Sequence, residues 1–226
     1  MRKNTFTFLR TLFLTITLPV ISITFVSCEQ DDESETQNHP KAVDLGLSVK
    51  WASCNVGAKS PKDYGDYYAW GETETKSNYD GGTYKLFWDD IDGDGYGEFV
   101  NIDNNISGTS YDVASVKWGD GWRMPTYDEF KELLEKCSWT FTYYEGYKVT
   151  GPNGNSIFLP LPGCRYGSET INRSWDGHYW SGSLTDSDDG EYAAFYLYIN
   201  SAYNEPCAFI SYSSGPHGKS IRPVKR

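Results

Sequence analysis

The stretch Asp90-Ile91-Asp92-Gly93-Asp94-Gly95-Tyr96-Gly97-Glu98 is the most specific ligand motif in the chain. Carboxylates at alternate positions, with glycine after the third, match the start of a calcium loop, in which a tight turn aims several oxygens inward. Asp90, Asp92 and Asp94 would ligate through their carboxylates, Tyr96 through its backbone carbonyl, and Glu98 directly or through water. Calcium is therefore the one cofactor suggested. The twelfth position is Asn101 in place of glutamate, and no helices clearly flank the loop. That argues against an EF-hand sensor and for weak, extracellular-type affinity, roughly 10⁻⁴–10⁻³ M. A polar Asp/Gly surface turn is the plain alternative.

Other chemistry has less support. No G-x-S-x-G elbow, phosphate-binding loop, dinucleotide fingerprint or HExxH sequence is present. His39, His178 and His217 do not stand at metal-ligand spacing and no CxxC pair occurs, which argues against structural zinc. The chain is read as a non-enzyme, with a glycan-active hydrolase built on paired carboxylates as the remaining catalytic alternative. For ligand binding the candidates are Tyr143, Tyr144, Tyr166, Trp175 and Tyr203, because rigid amphipathic rings on loops make good anchors. Core packing is the plain alternative for any aromatic here.

These groups must be held by regular elements. Thr126 and Glu129 form a capping box, and Phe130, Leu133, Leu134 and Cys137 then fall on one stripe, which predicts a helix over 127–136. A shorter helix is predicted over 111–118, with Ser110 before it, Gly119 after it, and Val113, Val116 and Trp118 on its buried side. Residues 147–150 and 156–159 flank a Gly-Pro-Asn-Gly turn and predict a hairpin. Further strands are expected at 192–199, 207–212 and 220–224, and the alternation Val43-Leu45-Leu47-Val49-Trp51 opens the folded part as a strand pair or bent strand. Helices early and strands late indicate an α+β fold. Trp51, Trp70, Trp118, Trp122, Trp139 and Trp180 each need a partner for the indole N–H when buried, and Arg123 has donors enough for several loop carbonyls.

The first 27 residues look like an address. Arg2, Lys3 and Arg10 precede an apolar run to Val26, with no acid before Glu29, the layout of a secretory signal. Phe25-Val26-Ser27-Cys28 resembles a bacterial lipobox, making Cys28 the lipidated first residue of the mature protein. Residues 28–41 form an acidic tether, and Glu29-Gln30-Asp31-Asp32-Glu33 is similar to the surface-export signal of Bacteroides-type lipoproteins. The expected location is the outer membrane, lipid-anchored and facing the exterior. With Cys28 used, Cys54, Cys137, Cys164 and Cys207 remain, an even number that allows two disulfides in any of three connectivities. The whole chain of 226 residues carries a formal charge of −11 and is 16% aromatic, so it can build a core but lacks the Lys and Arg density of a nucleic-acid binder.

From residue 42 to 224 the chain carries a series of phrases: 42–58 (AVDLGLSVKWASCNVGA), 67–72 (YYAWGE), 118–126 (WGDGWRMPT), 129–134 (EFKELL), 158–163 (FLPLPG), 179–183 (YWSGS) and 220–224 (SIRPV). In this order they resemble the Fibrobacter major paralogous domain family of Bacteroidetes surface proteins, related to the formylglycine-generating-enzyme-like branch of the C-type-lectin-like fold. The resemblance implies that 42–226 is one C-type-lectin-like domain with two helices, a twisted antiparallel sheet and long loops. It also implies a bacterial surface habitat and an adhesive or tip role. The cysteine pair of the formylglycine-generating relatives is not matched, since Cys207 stands alone near the chain end. The lectin sugar motif is not matched either, since Glu205-Pro206-Cys207 lacks the amide. The expectation is a surface lipoprotein acting as a binding and adhesion module through loops on an aromatic scaffold, its partner a surface, glycan or protein ligand. A structural or tip subunit of a fimbria-like assembly is the alternative.

Overall fold

The computed structural model describes residues 40–86, 102–143, 145–185, 193–201 and 207–226, all within one compact unit, Asn38–Arg226. The expected signal segment, Cys28, nearly all of the expected tether, the candidate calcium motif from Asp90 to Glu98, Tyr144 and Tyr203 lie outside the described residues.

Two helices form, α1 (Val113–Trp118) and α2 (Tyr127–Lys136). In α2 the capping box closes as expected: Glu129 N–H donates to Thr126 Oγ1 and Thr126 N–H to Glu129 Oε2. Phe130 and Leu133 are buried, and Cys137 packs against the same core. In α1 the start moves two residues along, because Asp112 is the cap. Its fully buried carboxylate accepts from the N–H groups of Gly108, Ala114, Ser115 and Met124 and from Ser115 Oγ. One carboxylate thus caps the helix and ties it to the chain on both sides. Val113 is buried, but Val116 is exposed, so the expected buried side is only partly realised.

The strands form several small antiparallel sheets in place of one twisted sheet, giving a mainly β, α+β-like architecture. β1 (Ala42–Val43) and β2 (Lys50–Ala52) make the expected opening pair. β3 (Ser138–Thr142), β4 (Gly146–Thr150) and β5 (Ser156–Pro160) form a meander containing the expected hairpin. β6 (Cys164–Tyr166) and β7 (Glu169–Ile171) form a short hairpin. β8 (Asp176–Leu184), β9 (Ala194–Asn200) and β10 (Cys207–Ser213) form the largest sheet, in the order β10-β9-β8. Its inner face carries Tyr179, Leu197 and Ile199 into a core shared with Trp51, Phe130, Leu133 and Leu159. Each such side chain, fully buried, contributes about 1.5–3 kcal/mol.

The expected strand at 220–224 is not one strand. Only β11 (Val224–Lys225) is regular, paired to β2, so that the two ends of the folded part meet in one sheet. The residues before it run as a buried seam that bonds to a different element at almost every step. Gly218 bridges to Arg165, Lys219 to Tyr68, Ser220 to Tyr179 and Val224 to Arg123. Ile221 O accepts from Val56 N–H and Pro223 O from Ala52 N–H. Arg222 is fully buried, and its guanidinium donates to Asn55 Oδ1 at 2.8 Å, Ala52 O at 3.0 Å and Phe158 O at 2.9 Å.

Arg123 does something narrower than expected, bonding Glu129 through both terminal nitrogens and one carbonyl, that of Met124. Among the tryptophans, Trp70 donates to Ser181 O and Trp180 to Tyr68 O, while the buried indole N–H groups of Trp51 and Trp139 have no partner among the described residues. The two allowed disulfides are not formed: Cys54, Cys137, Cys164 and Cys207 are free. Their surroundings differ, with Cys54 donating to Ala58 O, Cys137 at the end of α2 and Cys164 beside Lys219. Burial pushes Cys54 and Cys164 up, and Cys137 up to about 11, which makes them poor thiolates.

Replacing Arg222 with leucine strands three acceptors, at about 1–3 kcal/mol per unsatisfied buried group. Urea titration of Arg222→Leu is expected to show a stability loss of about 3 kcal/mol or more, and a loss below about 1 kcal/mol would contradict this account. Burial also pushes Lys219 down to about 7. Above that pH the unfolded chain holds a proton that the native one does not, so stability rises with pH from about 7 toward the usual lysine value. The raised thiols act in the opposite direction above about pH 8.5, the usual cysteine value. Melting temperature is thus expected to climb between about pH 7 and 8.5, and Lys219→Met to flatten that slope.

Candidate functional site

The β3–β4 turn and the adjoining β5 build a cleft of about 410 Å³ on the outer face of their sheet. Strand alternation sets its composition. Tyr147, Val149, Ile157 and Leu159 belong to the core, while Lys148 faces outward with Thr140 and Phe158 as its register partners. Val43, Ile157 and Phe158 give the cleft its apolar surface, Ser53, Thr142 and Ser156 supply hydroxyls, and Lys62, Glu145 and Lys148 supply charge. The volume lies within the ordinary range for small-ligand sites.

The turn shaping this cleft is tightly specified. Glu145 N–H donates to Thr142 O at 3.0 Å. Gly146 follows at φ +143°, where an added Cβ would lie 2.1 Å from Leu159 O. Only glycine lets β4 start this close to β5. Glu145 Oε2 then reaches Lys62 Nζ at 2.7 Å, and the same ammonium stands 5.8 Å from the Phe158 ring centroid. Both partners of this pair are substantially exposed, so it adds little stability and can open to admit a ligand group. Behind the cleft, Arg222 holds the Phe158 carbonyl, which fixes the ring's backbone.

A second feature is the face of the largest sheet opposite Tyr179, Leu197 and Ile199, where Trp180 enters a second core with Tyr68, Trp70 and Met124. The sheet's register sets Asp176, Asn200 and Cys207 on one rung, His178, Tyr198 and Phe209 on the next, and Trp180, Tyr196 and Ser211 on a third. The rings touch in sequence: His178 to Tyr198 at 5.1 Å, Tyr198 to Phe209 at 5.0 Å, and Trp180 to Tyr196 at 5.8 Å. Asp176 Oδ1 holds His178 Nε2 at 3.1 Å, and His178 Nδ1 is buried with no partner among the described residues. Burial and the nearby Lys219 and His178 push His217 down.

The sequence-predicted binding residues divide between these features. Tyr143 is 67% exposed and sits between the cleft residues Thr142 and Glu145, its ring edge-on to Phe141. Tyr166 is exposed on β6 and leans on His217 at 4.9 Å. Trp175 is exposed after a turn in which Asn172 and Ser174 both adopt positive φ, 56° and 67°. The cleft itself was missed. Its lining comes from segments more than 100 residues apart in sequence, as between Val43 and Phe158. The one available signal was the outward-alternating Lys148 and Phe158 in the predicted hairpin.

Among the described residues no cluster of three or more His, Cys, Asp or Glu is placed to hold a metal ion. No described helix is long and apolar enough to cross a membrane. In comparisons with family models, with curated proteins and with solved structures, the chain finds no match in any of the three.

Proposed function

We propose that this chain is a lipid-anchored, surface-facing binding module that takes a saccharide-like ligand in the cleft between the β3–β4 turn and β5. The carrying observation is the composition of that cleft: an apolar surface with the Phe158 ring, ringed by three hydroxyls and three charged groups. A sugar offers an apolar face to stack on a ring and hydroxyls to exchange hydrogen bonds, and this site presents both counterparts. Tyr143 at the margin extends the ring surface. The ordered phrases from residue 42 to 224 support placing the domain in the C-type-lectin-like fold and the Fibrobacter major paralogous family. The lipobox at Cys28 and the acidic run behind it support an outer-membrane location facing outward. Calcium at Asp90 to Glu98 belongs to the same reading as a loop-stabilising ion.

A structural subunit of a surface assembly is the second reading, and β10 favours it. This seven-residue strand lies at the edge of its sheet, contains no charged residue and no proline, and exposes Phe209 and Tyr212. Edge strands of single-acting proteins are usually guarded by charge, proline or a bulge.

An array of neutral and uronate-containing oligosaccharides tests the first reading. The native chain is expected to bind a subset, and Phe158→Ala to weaken that binding by about tenfold or more. Undiminished binding by the variant, or no binding by the native chain, refutes the cleft. For the anchor, Cys28→Ala is expected to move the protein from the membrane to the soluble fraction, and persistence in the membrane argues against lipidation.

A further inference from the structure

Ser213 and Lys219 form a pair that the binding reading leaves unused. Lys219 is 2% exposed, and its Nζ stands 4.0 Å from the Trp180 ring centroid and 4.5 Å from that of Tyr196. Its side-chain hydrogen bond runs to Ser213 Oγ at 2.7 Å. No carboxylate pairs with it among the described residues. A lysine buried on two rings with only a hydroxyl to bond is an expensive arrangement for structure alone.

Ser213, in contrast, ends β10 half-buried at the surface. The backbone N–H groups of Ser214 and Gly215 donate to nothing among the described residues, leaving two donors beside the hydroxyl. That turn is held still: Gly215 O accepts from Trp70 N–H at 2.9 Å, and a Cβ on Gly215 would lie 2.2 Å from Tyr84 Oη.

We propose that Ser213 is a nucleophile and Lys219 its general base, making this end of the sheet a site of acyl transfer from a carboxylic ester to water. In the resting pair Ser213 Oγ donates weakly to Ser214 O at 3.4 Å, while Lys219 donates to Ser213 Oγ. When Lys219 is neutral its lone pair accepts the Ser213 proton as the Oγ–C bond forms at the ester carbonyl. The carbonyl electron pair moves to oxygen, and the N–H groups of Ser214 and Gly215, which directly follow Ser213 in the chain, are the donors assigned to receive it. Collapse breaks the bond to the alcohol oxygen, which leaves with the proton from Lys219. Water then attacks the acyl-serine, passing its proton to Lys219, and the carboxylic acid departs as Ser213 recovers its proton. The Trp180 and Tyr196 faces stabilise the ammonium while it exists.

The groups around Lys219 fit this use. Burial lowers the amine to about 7, against which only Cys164 acts to raise it. Asp176 and His178 of β8 bond each other, Tyr196 of β9 offers its ring, and His217 on the same segment is itself pushed down. A base poised near neutrality is the useful kind.

The full chain treated with a fluorophosphonate probe tests the pair. Ser213 Oγ forms a bond to phosphorus, fluoride leaves, and the hydroxyl proton passes to Lys219. The expected result is a label mapped by mass spectrometry to Ser213 and absent from Ser213→Ala. Its rate should rise with pH through about 7 and fall on the order of 10²-fold in folded Lys219→Met. No label at about pH 8.5, a label on another residue, or an undiminished rate in folded Lys219→Met overturns the proposal. If Lys219→Met does not fold, a native labelling rate that is flat with pH overturns it equally.

Discussion

The structure depends on how a short buried segment near the chain end satisfies its polar groups. Gly218 to Val224 are all buried, so the main-chain donors and acceptors there need protein partners. They do not find them in a single neighbouring strand. The seam runs past β6, the 67–70 segment, β8, the 52–56 segment and the chain before α2, bonding one after another. Arg222 extends this to side-chain reach by binding β2 and β5 at once. A cation with no carboxylate partner among the described residues is tolerated at full burial because neutral oxygens accept from all three of its donating nitrogens. The several small sheets are thereby one body, although no long ladder joins them.

Polar tips on aromatic rings repeat the same solution across the core. Tyr67 donates to Pro162 O, Tyr79 to Tyr67 O, Tyr84 to Trp70 O and Tyr179 to Pro160 O. In each case a ring fills volume while its hydroxyl pins a carbonyl, three of them in irregular segments and the fourth, Pro160, at the last residue of β5. Burial raises all four hydroxyls, so they remain donors well into alkaline conditions. A chain with long loops needs such cross-links, because its loops lack ladders of their own. This explains the weight of tyrosine in the composition better than strand preference alone.

Legibility in the sequence followed the range of the interactions. α2 was readable to the residue because Thr126, Glu129, Phe130 and Leu133 signal within one turn or two. The β4–β5 hairpin was readable for the same reason. The start of α1 was misjudged because Asp112 earns its place through Gly108 and Met124 as much as through the helix. Arg222 sat in a phrase that looked like a strand, with Lys219 just before it, and nothing local marks a buried cation. Of the ring candidates, Tyr143, Tyr166 and Trp175 are exposed as expected, yet the cleft beside Tyr143 is assembled from segments that only the fold brings together.

The two proposed sites use opposite properties of the same scaffold. At the cleft, the charged groups are exposed and weakly paired, so a ligand exchanges contacts at small cost. Around Lys219, the charge is buried among rings, and each change of protonation state is felt strongly because the amine is almost wholly removed from bulk solvent. The seam connects them physically: Arg222 backs Phe158, and three residues earlier Lys219 reaches Ser213. A segment fixed by so many independent bonds cannot drift at one end without disturbing the other. The rigidity that lets a short cleft hold its shape is thus the same rigidity that keeps an unpaired amine within bonding distance of a surface hydroxyl.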